Sequence, residues 1–145
     1  MTTIPASTAT ATASRTSDDR VALGPIWRTG AIAGLVAAGA VTVVAALARA
    51  LDVGLEVDGE AIPLAGFAQV TVMSVLIGLV LASVLARRAR HPQATFVRTT
   101  VALTAVSCIP SVLFPSDTGT RVALVLTHLV AAAIVIPAVR DRLPR

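Results

Sequence analysis

The sequence lacks lysine, contains a single cysteine and carries only four aromatic residues, which are Trp27, Phe67, Phe96 and Phe114. An intrachain disulfide is therefore excluded. Because Cys108 lies inside an apolar run, we expect it to pack as a small hydrophobic residue. The absence of lysine means that all twelve positive side chains are arginines, and their positions along the chain are informative.

Charge is also missing from four long stretches, which cover residues 29–48, 61–86, 99–116 and 122–139. Each reaches or approaches the roughly 20 residues that an α-helix needs to cross a hydrocarbon core of about 30 Å. The composition, 55% hydrophobic and 14% charged, is typical of membrane proteins. We therefore predict an all-α fold, an integral membrane four-helix bundle. Its predicted spans are about 28–50, 63–86, 97–115 and 120–139.

The first 24 residues differ from the rest, since they are rich in Thr, Ala and Ser and poor in large apolar side chains. Such a segment buries too little surface to offset the entropy of ordering, so we predict a disordered cytoplasmic tail over residues 1–24. A signal peptide is not expected, because the first apolar run begins only near residue 29. Residues 25–142 form the predicted transmembrane domain.

The arginines lie at the ends of the apolar runs, and the densest group covers residues 87–98, which we interpret as a loop. Ten of the twelve fall on one side of the predicted membrane: Arg15, Arg20, Arg28, Arg87, Arg88, Arg90, Arg98, Arg140, Arg142 and Arg145. The positive-inside rule then predicts a multi-pass protein of the cell membrane with both termini cytoplasmic. Positive charge at helix ends, rather than on one face, argues against a nucleic-acid partner.

Small residues recur at helical spacing in two of the spans. Gly30 and Gly34 form a small-xxx-small pattern, and Ser74 and Gly78 repeat the same spacing in the second span. Such patterns let two helix backbones approach closely. These four residues are candidate helix-packing positions, and packing within one copy of the chain is favoured over a seam between two copies.

Polar side chains line one side of the third span, where Thr100, Thr104, Ser107, Cys108 and Ser111 share a helical stripe. The stripe should face protein rather than lipid. In the same span, Pro110 deprives the carbonyl of residue 106 of its usual helical hydrogen bond.

His128 is the one ionisable residue deep inside a span, about 10 Å from Arg121 at 1.5 Å per residue. We predict that it belongs to an intramembrane polar cluster whose members are His128, Gln69, Ser107, Cys108 and Ser111. One reading is structural, with a neutral imidazole donating to the freed carbonyl of residue 106 or to a hydroxyl. The other is functional, with His128 as a proton relay or a ligand.

The loop between the first two spans is acidic, with Asp52, Glu56, Asp58 and Glu60. Asp58 and Gly59 mark a turn. The spacing matches no EF-hand, and carboxylates on a wet loop usually stay solvated, so no metal site is predicted.

The four uncharged runs contain no Asp, Glu, Lys or Arg, so neither catalytic residues nor a cofactor are predicted. A haem would need a second axial ligand, and His91 lies at the opposite face from His128. The leading hypothesis is an accessory or structural membrane factor that acts through helix–helix contacts. Its partners would be the lipid bilayer and either itself or another membrane protein. The alternative is an oligomeric transporter or channel for small solutes or ions that uses the polar layer around His128.

The last span, RVALVLTHLVAAAIVIPAVR, resembles the closing helix of an uncharacterised family of small bacterial four-helix membrane proteins, domain of unknown function 6069. The similarity extends over roughly residues 25–140. Its motifs are the opening Arg-Val-Ala-Leu, the embedded Thr127-His128-Leu129 and the closing Ile136-Pro137. The resemblance implies the four-helix architecture and no activity, substrate or cofactor.

Overall fold

A computed structural model describes residues 22–115 and 117–145 of the chain. The described part contains four helices and one small hairpin: α1 (Leu23–Ala50), β1 (Glu56–Val57), β2 (Glu60–Ala61), α2 (Leu64–Arg88), α3 (Pro92–Leu113) and α4 (Thr118–Arg140). All four helices are long and apolar enough to cross a membrane. The predicted all-α membrane bundle is therefore confirmed, while most of the predicted disordered tail lies outside the described residues.

The helices pack with α1 at the centre of the contacts, since it lies against both α2 and α4, while α3 lies mainly against α4. Because consecutive helices are antiparallel, the bundle has two ends. We call the end that holds the start of α1, the α2–α3 connection and the end of α4 the arginine end. The other end, with β1, β2 and the α3–α4 connection, is the hairpin end.

The buried apolar residues form two clusters, one toward each end of the bundle. The arginine-end cluster takes residues from all four helices and the C-terminal segment: Ile26, Val75, Leu79, Ala82, Ala86, Phe96, Val139 and Leu143. The hairpin-end cluster contains Val41, Ala45, Leu55, Phe67, Ala123 and Leu124. No residue of α3 belongs to the second cluster, so α3 joins the apolar core at the arginine end.

Helix α3 is the least buried of the four. Its buried residues are Pro92, Phe96 and Ser111, whereas α1 has eight. Most of its large apolar side chains are exposed: Val101, Leu103, Val106, Ile109, Val112 and Leu113. In a bilayer this side faces lipid or another protein, so α3 is the edge helix of the bundle.

The α2–α3 connection is much shorter than the predicted loop over residues 87–98. Helix α2 continues to Arg88 and α3 begins at Pro92, which leaves only residues 89–91 between them. Proline suits the first helical position because it has no N–H to leave unpaired there, and arginine is a good helix former. Helix α1 likewise begins at Leu23, earlier than predicted, and its first turn carries the fully buried Ile26.

The hairpin confirms the predicted turn at Asp58 and Gly59. Residues 56 and 61 are paired, as are residues 57 and 60, and both turn residues have positive φ, +54° and +82°. Two such residues in a row are typical of the tight hairpin turn that favours Asp-Gly. The acidic loop is thus an ordered β-hairpin.

Leu55, just before this hairpin, was not anticipated from the sequence. Its side chain is fully buried in the hairpin-end cluster, although its φ of +49° is unusual for a residue with a large side chain. Its carbonyl accepts a hydrogen bond of 2.9 Å from the N–H of Ile62.

Candidate functional site

His128 is half-buried in α4, and its ring is bonded within its own helix. Its Nδ1 lies 2.8 Å from the carbonyl oxygen of Leu124, which also accepts the hydroxyl of Thr127 at 2.7 Å. A carbonyl can only accept, so Nδ1 carries a proton, and in the neutral form of the ring the free lone pair is on Nε2. The described hydrogen bonds do not include Nε2, and within the described part no buried side-chain nitrogen or oxygen lacks a partner. Nε2 is therefore reachable from outside the packed interior.

The hydroxyl stripe of α3 lies on the inward side of that helix. Thr100, Thr104, Ser107 and Cys108 are half-buried and Ser111 is buried, in contrast to the exposed apolar residues between them. Each hydroxyl donates to a carbonyl of its own helix, as Ser107 does to Thr104 at 2.8 Å. With their protons used in this way, the hydroxyl oxygens keep lone pairs that can accept further hydrogen bonds.

The predicted cluster is not joined by hydrogen bonds between helices. Ser111 bonds to Ser107, and His128 bonds to Leu124 rather than to the carbonyl of Val106. A serine, threonine or histidine in a helix reaches the carbonyl three or four residues earlier without any movement of the helices, so the local bond is preferred. Helical spacing in the sequence predicts one depth for these groups, but it does not show that each group bonds to a carbonyl of its own helix.

Gln69 and Cys108 occupy different surroundings. Gln69 is exposed on α2, in contrast to the half-buried and buried residues of the α3 stripe. Cys108 is a half-buried free thiol on the stripe. The inward members of the predicted cluster thus come from α3 and α4.

Two glycines of α1, Gly30 and Gly34, lie directly against α2. A methyl group on Gly30 would overlap the side chain of Leu79, and one on Gly34 would lie 2.8 Å from Cγ1 of Val75. These positions admit only hydrogen, which lets the two backbones approach closely. The α1–α2 seam is formed within one copy of the chain.

The second small-residue pattern is placed differently. Ser74 is exposed, and a methyl group on Gly78 would meet nothing within 4 Å. Ala82, one further step along the pattern, is fully buried. Of this α2 pattern, only Ala82, toward the arginine end, is therefore packed. Ser74 and Gly78 have no helix against them in the described structure.

A hydrogen bond between α1 and α2 adds to their seam and was not foreseen from the sequence. The indole Nε1–H of Trp27 donates to the hydroxyl of Ser83 at 3.1 Å, and that hydroxyl donates to the carbonyl of Leu79. Ser83 is four residues from Leu79, the side chain that covers Gly30. Trp27 thus joins α1 to α2.

The carboxylates at the hairpin end surround a small pocket of about 210 Å³. Its acidic lining residues are Asp52, Glu56 and Asp117. Asp117 caps α4, because its Oδ2 accepts the backbone N–H of Thr120 at 2.7 Å. That bond, with another from the N–H of Gly119, lowers the pKa of Asp117 below its ordinary value. Among the described residues no group of three or more His, Cys, Asp or Glu side chains is arranged to hold a metal ion.

The two arginines of the hairpin end are used to hold loops. The guanidinium of Arg49 donates to the carbonyl of Ile62, just before α2. Nε of Arg121 donates to the carbonyl of Pro115 at 2.9 Å, just before α4. These two arginines, which do not lie at the arginine end, therefore each bind a nearby main-chain carbonyl.

No curated protein and no solved structure matches this chain. One protein-family model does match, and it covers residues 21–145, which include all four helices and the hairpin. By that match the chain belongs to the Family of unknown function (DUF6069).

Proposed function

We propose that this protein is a non-enzymatic factor of the cell membrane that acts through helix–helix contacts in the bilayer, with both termini in the cytoplasm. The observation that carries the proposal is the position of α3. Phe96 attaches this helix to the core at the arginine end, while most of its length presents apolar side chains outward. A helix that packs against the bundle on one side and is open along the other is suited to contact another membrane helix.

The orientation is supported by the charges of the two ends. The described residues of the arginine end carry eight exposed arginines and one carboxylate, Asp141: the arginines are Arg28, Arg87, Arg88, Arg90, Arg98, Arg140, Arg142 and Arg145. The hairpin end carries five carboxylates and only Arg49 and Arg121. By the positive-inside rule, the arginine end faces the cytoplasm.

Single cysteines in a Cys108→Ser background test the orientation. Gly54 and Ala94 are exposed at the hairpin end and the arginine end, respectively. In intact cells an impermeant thiol reagent should label Gly54→Cys and leave Ala94→Cys unlabelled until the membrane is permeabilised. Labelling of Ala94→Cys alone would reverse the orientation.

Co-purification in mild detergent tests the role of α3. We expect a stoichiometric membrane partner whose association is lost in Leu103→Trp, because a bulky ring on the open side of α3 blocks a helix while lipid accommodates it. The matched control is Leu47→Trp on the exposed side of α1, which should keep the partner. Equal retention in both variants would contradict the proposal that α3 makes the contact.

A second candidate function is transport of protons or small solutes by an oligomer. It is favoured by the accessible Nε2 of His128 and by the hydroxyl oxygens that line the inward side of α3. In proteoliposomes this function requires flux that His128→Gln abolishes while assembly is retained, because glutamine hydrogen-bonds but does not titrate near neutral pH. Flux that persists in His128→Gln, or no flux at all, would leave the contact function as the better account.

A further inference from the structure

We infer that copies of this chain associate in the membrane through a hydrogen bond from the side-chain amide of Gln69 on α2 of one copy to the main-chain carbonyl of Val106 on α3 of the next. The inference rests on the contact function proposed above, and it names a second copy of the chain as the partner.

The acceptor is created by Pro110. This residue lies inside α3 and has no N–H, so the carbonyl of Val106 loses its usual helical partner. The hydroxyls of α3 do not replace it, since they donate to the carbonyls of Phe96, Val97, Thr100, Thr104 and Ser107. Val106 and Pro110 are both exposed. A carbonyl without a partner at a lipid-facing position is costly, because hydrocarbon offers no donor.

The donor is Gln69. It is exposed on α2, and the side-chain hydrogen bonds of α2 in the described structure are those of Thr71 and Ser83. A primary amide has two N–H donors, and both lie in a span whose surroundings are apolar. The large neighbours Met73, Leu76 and Val80 on this side of α2 are exposed as well.

The two groups lie at similar depth in the bilayer. Gln69 follows the first residue of α2 by five positions, and Val106 precedes the last residue of α3 by seven. At 1.5 Å per residue, both lie about 8 to 10 Å from the hairpin end. Copies inserted in the same orientation therefore bring donor and acceptor to the same level.

A second copy fits this surface better than an unrelated protein does. The donor and the acceptor of the bond both occur on this one chain, on exposed sides of different helices and at matching depth. A foreign partner would need to satisfy only one of them. A reciprocal pair of these bonds closes a dimer, and repetition of a single bond around an axis along the membrane normal closes a larger ring.

The test compares oligomer mass, measured by light scattering in mild detergent and by cross-linking in lipid vesicles. Gln69→Leu removes the donor, and Pro110→Ala restores the N–H that satisfies Val106 within its own helix. Each should raise the dissociation constant about three- to tenfold, the effect of losing one hydrogen bond between membrane helices. The double variant should be no weaker than either single variant, since both break the same bond.

Pro137→Ala is the matched control, because Pro137 is an exposed proline inside α4 that has no place in the proposed contact. It should leave the oligomer mass unchanged. Thermal unfolding identifies loss of folding, and Pro110→Ala is expected to raise the unfolding temperature while it weakens assembly. A wild-type chain that stays monomeric, or oligomers that resist both single substitutions, would overturn the inference. If a different membrane protein still co-purified in that case, the proposed function would stand without this contact.

Discussion

The two ends of the bundle are closed in the same way by different segments, and they differ in which helices take part. At the arginine end, Leu143 of the C-terminal segment is buried beside Ile26, Phe96 and Val139, and its carbonyl accepts the side-chain amide of Gln93 at 2.9 Å. At the hairpin end, Leu55 has the corresponding place. At each end, one leucine that lies outside the helices thus fills the apolar core.

The difference lies in α3, which takes part in the core at the arginine end and is absent from the cluster at the hairpin end. The arginine end therefore holds four helices together, while the hairpin end depends on three helices and a strained loop. This predicts that the two ends respond differently to substitutions of similar size.

Phe96→Ala should have the largest effect, because Phe96 is 1% exposed and is the residue of α3 in the arginine-end cluster. Removing a buried phenylalanine costs about 3 to 5 kcal/mol of unfolding free energy. Denaturation in detergent measures the loss. Phe114→Ala, at an exposed position beyond the end of α3, is the control and should change little. Equal losses in the two variants would mean that α3 is not held at Phe96.

Leu55→Ala should destabilise the hairpin end by about 2 kcal/mol, near the low end for buried leucines. The hairpin should also become more accessible to solvent, since the leucine side chain that fills this end of the bundle has been removed. Proteolysis in the loop and hydrogen exchange of the Ile62 amide measure this opening. A change in protection confined to the arginine end would show that the two ends are not independent.

Gly30→Leu should cost about 1 to 3 kcal/mol, because any side chain there overlaps Leu79 and pushes α1 and α2 apart. Gly78→Leu is the matched control, since the space around Gly78 is open, and it should keep the thermal stability of a single copy. The sequence alone predicts similar damage at both positions. Equal stability of the two variants would show that the seam is misplaced.

Asp117→Asn should have the smallest effect and depends on pH. Because hydrogen bonds lower the folded-state pKa of Asp117 below its ordinary 3.8, the charged carboxylate stabilises the cap above that value. The stabilisation is lost as the pH falls through the lowered folded pKa. Thermal unfolding should therefore separate wild type from variant at neutral pH and bring them together in acid. A difference that grows on acidification would contradict this role for Asp117.

The fold was largely readable from the sequence because bilayer thickness and uncharged run length constrain a membrane helix directly. The four spans and the Asp58–Gly59 turn follow from such local rules. The short α2–α3 connection does not, since arginines near a membrane edge are compatible with either helix or loop. Local signals also leave open how far each helix extends beyond its uncharged run, as the early starts of α1 and α3 illustrate.

The candidate site was less predictable, because helical spacing fixes depth and face but not the partner of a side chain. The sequence predicts one level for Ser107, Ser111 and His128, and in the structure their protons go to carbonyls of their own helices. Gln69 is predicted at the same level and is exposed on α2. The periodicity of a sequence does not specify how one helix is rotated relative to another.

The sequence by itself determined the membrane class, the number of spans and the uneven charge of the two ends, because each of these depends on composition along the chain. The tertiary structure decided which small residues are packed, how Leu143 and Leu55 close the two ends, and that α3 lies at the edge of the bundle. The reason is physical: lipid solvates an apolar helix as well as protein does, so hydrophobicity places a helix in the bilayer without choosing its neighbours. That choice depends on close fit, as at Gly30 and Gly34, and on polar bonds such as that between Trp27 and Ser83.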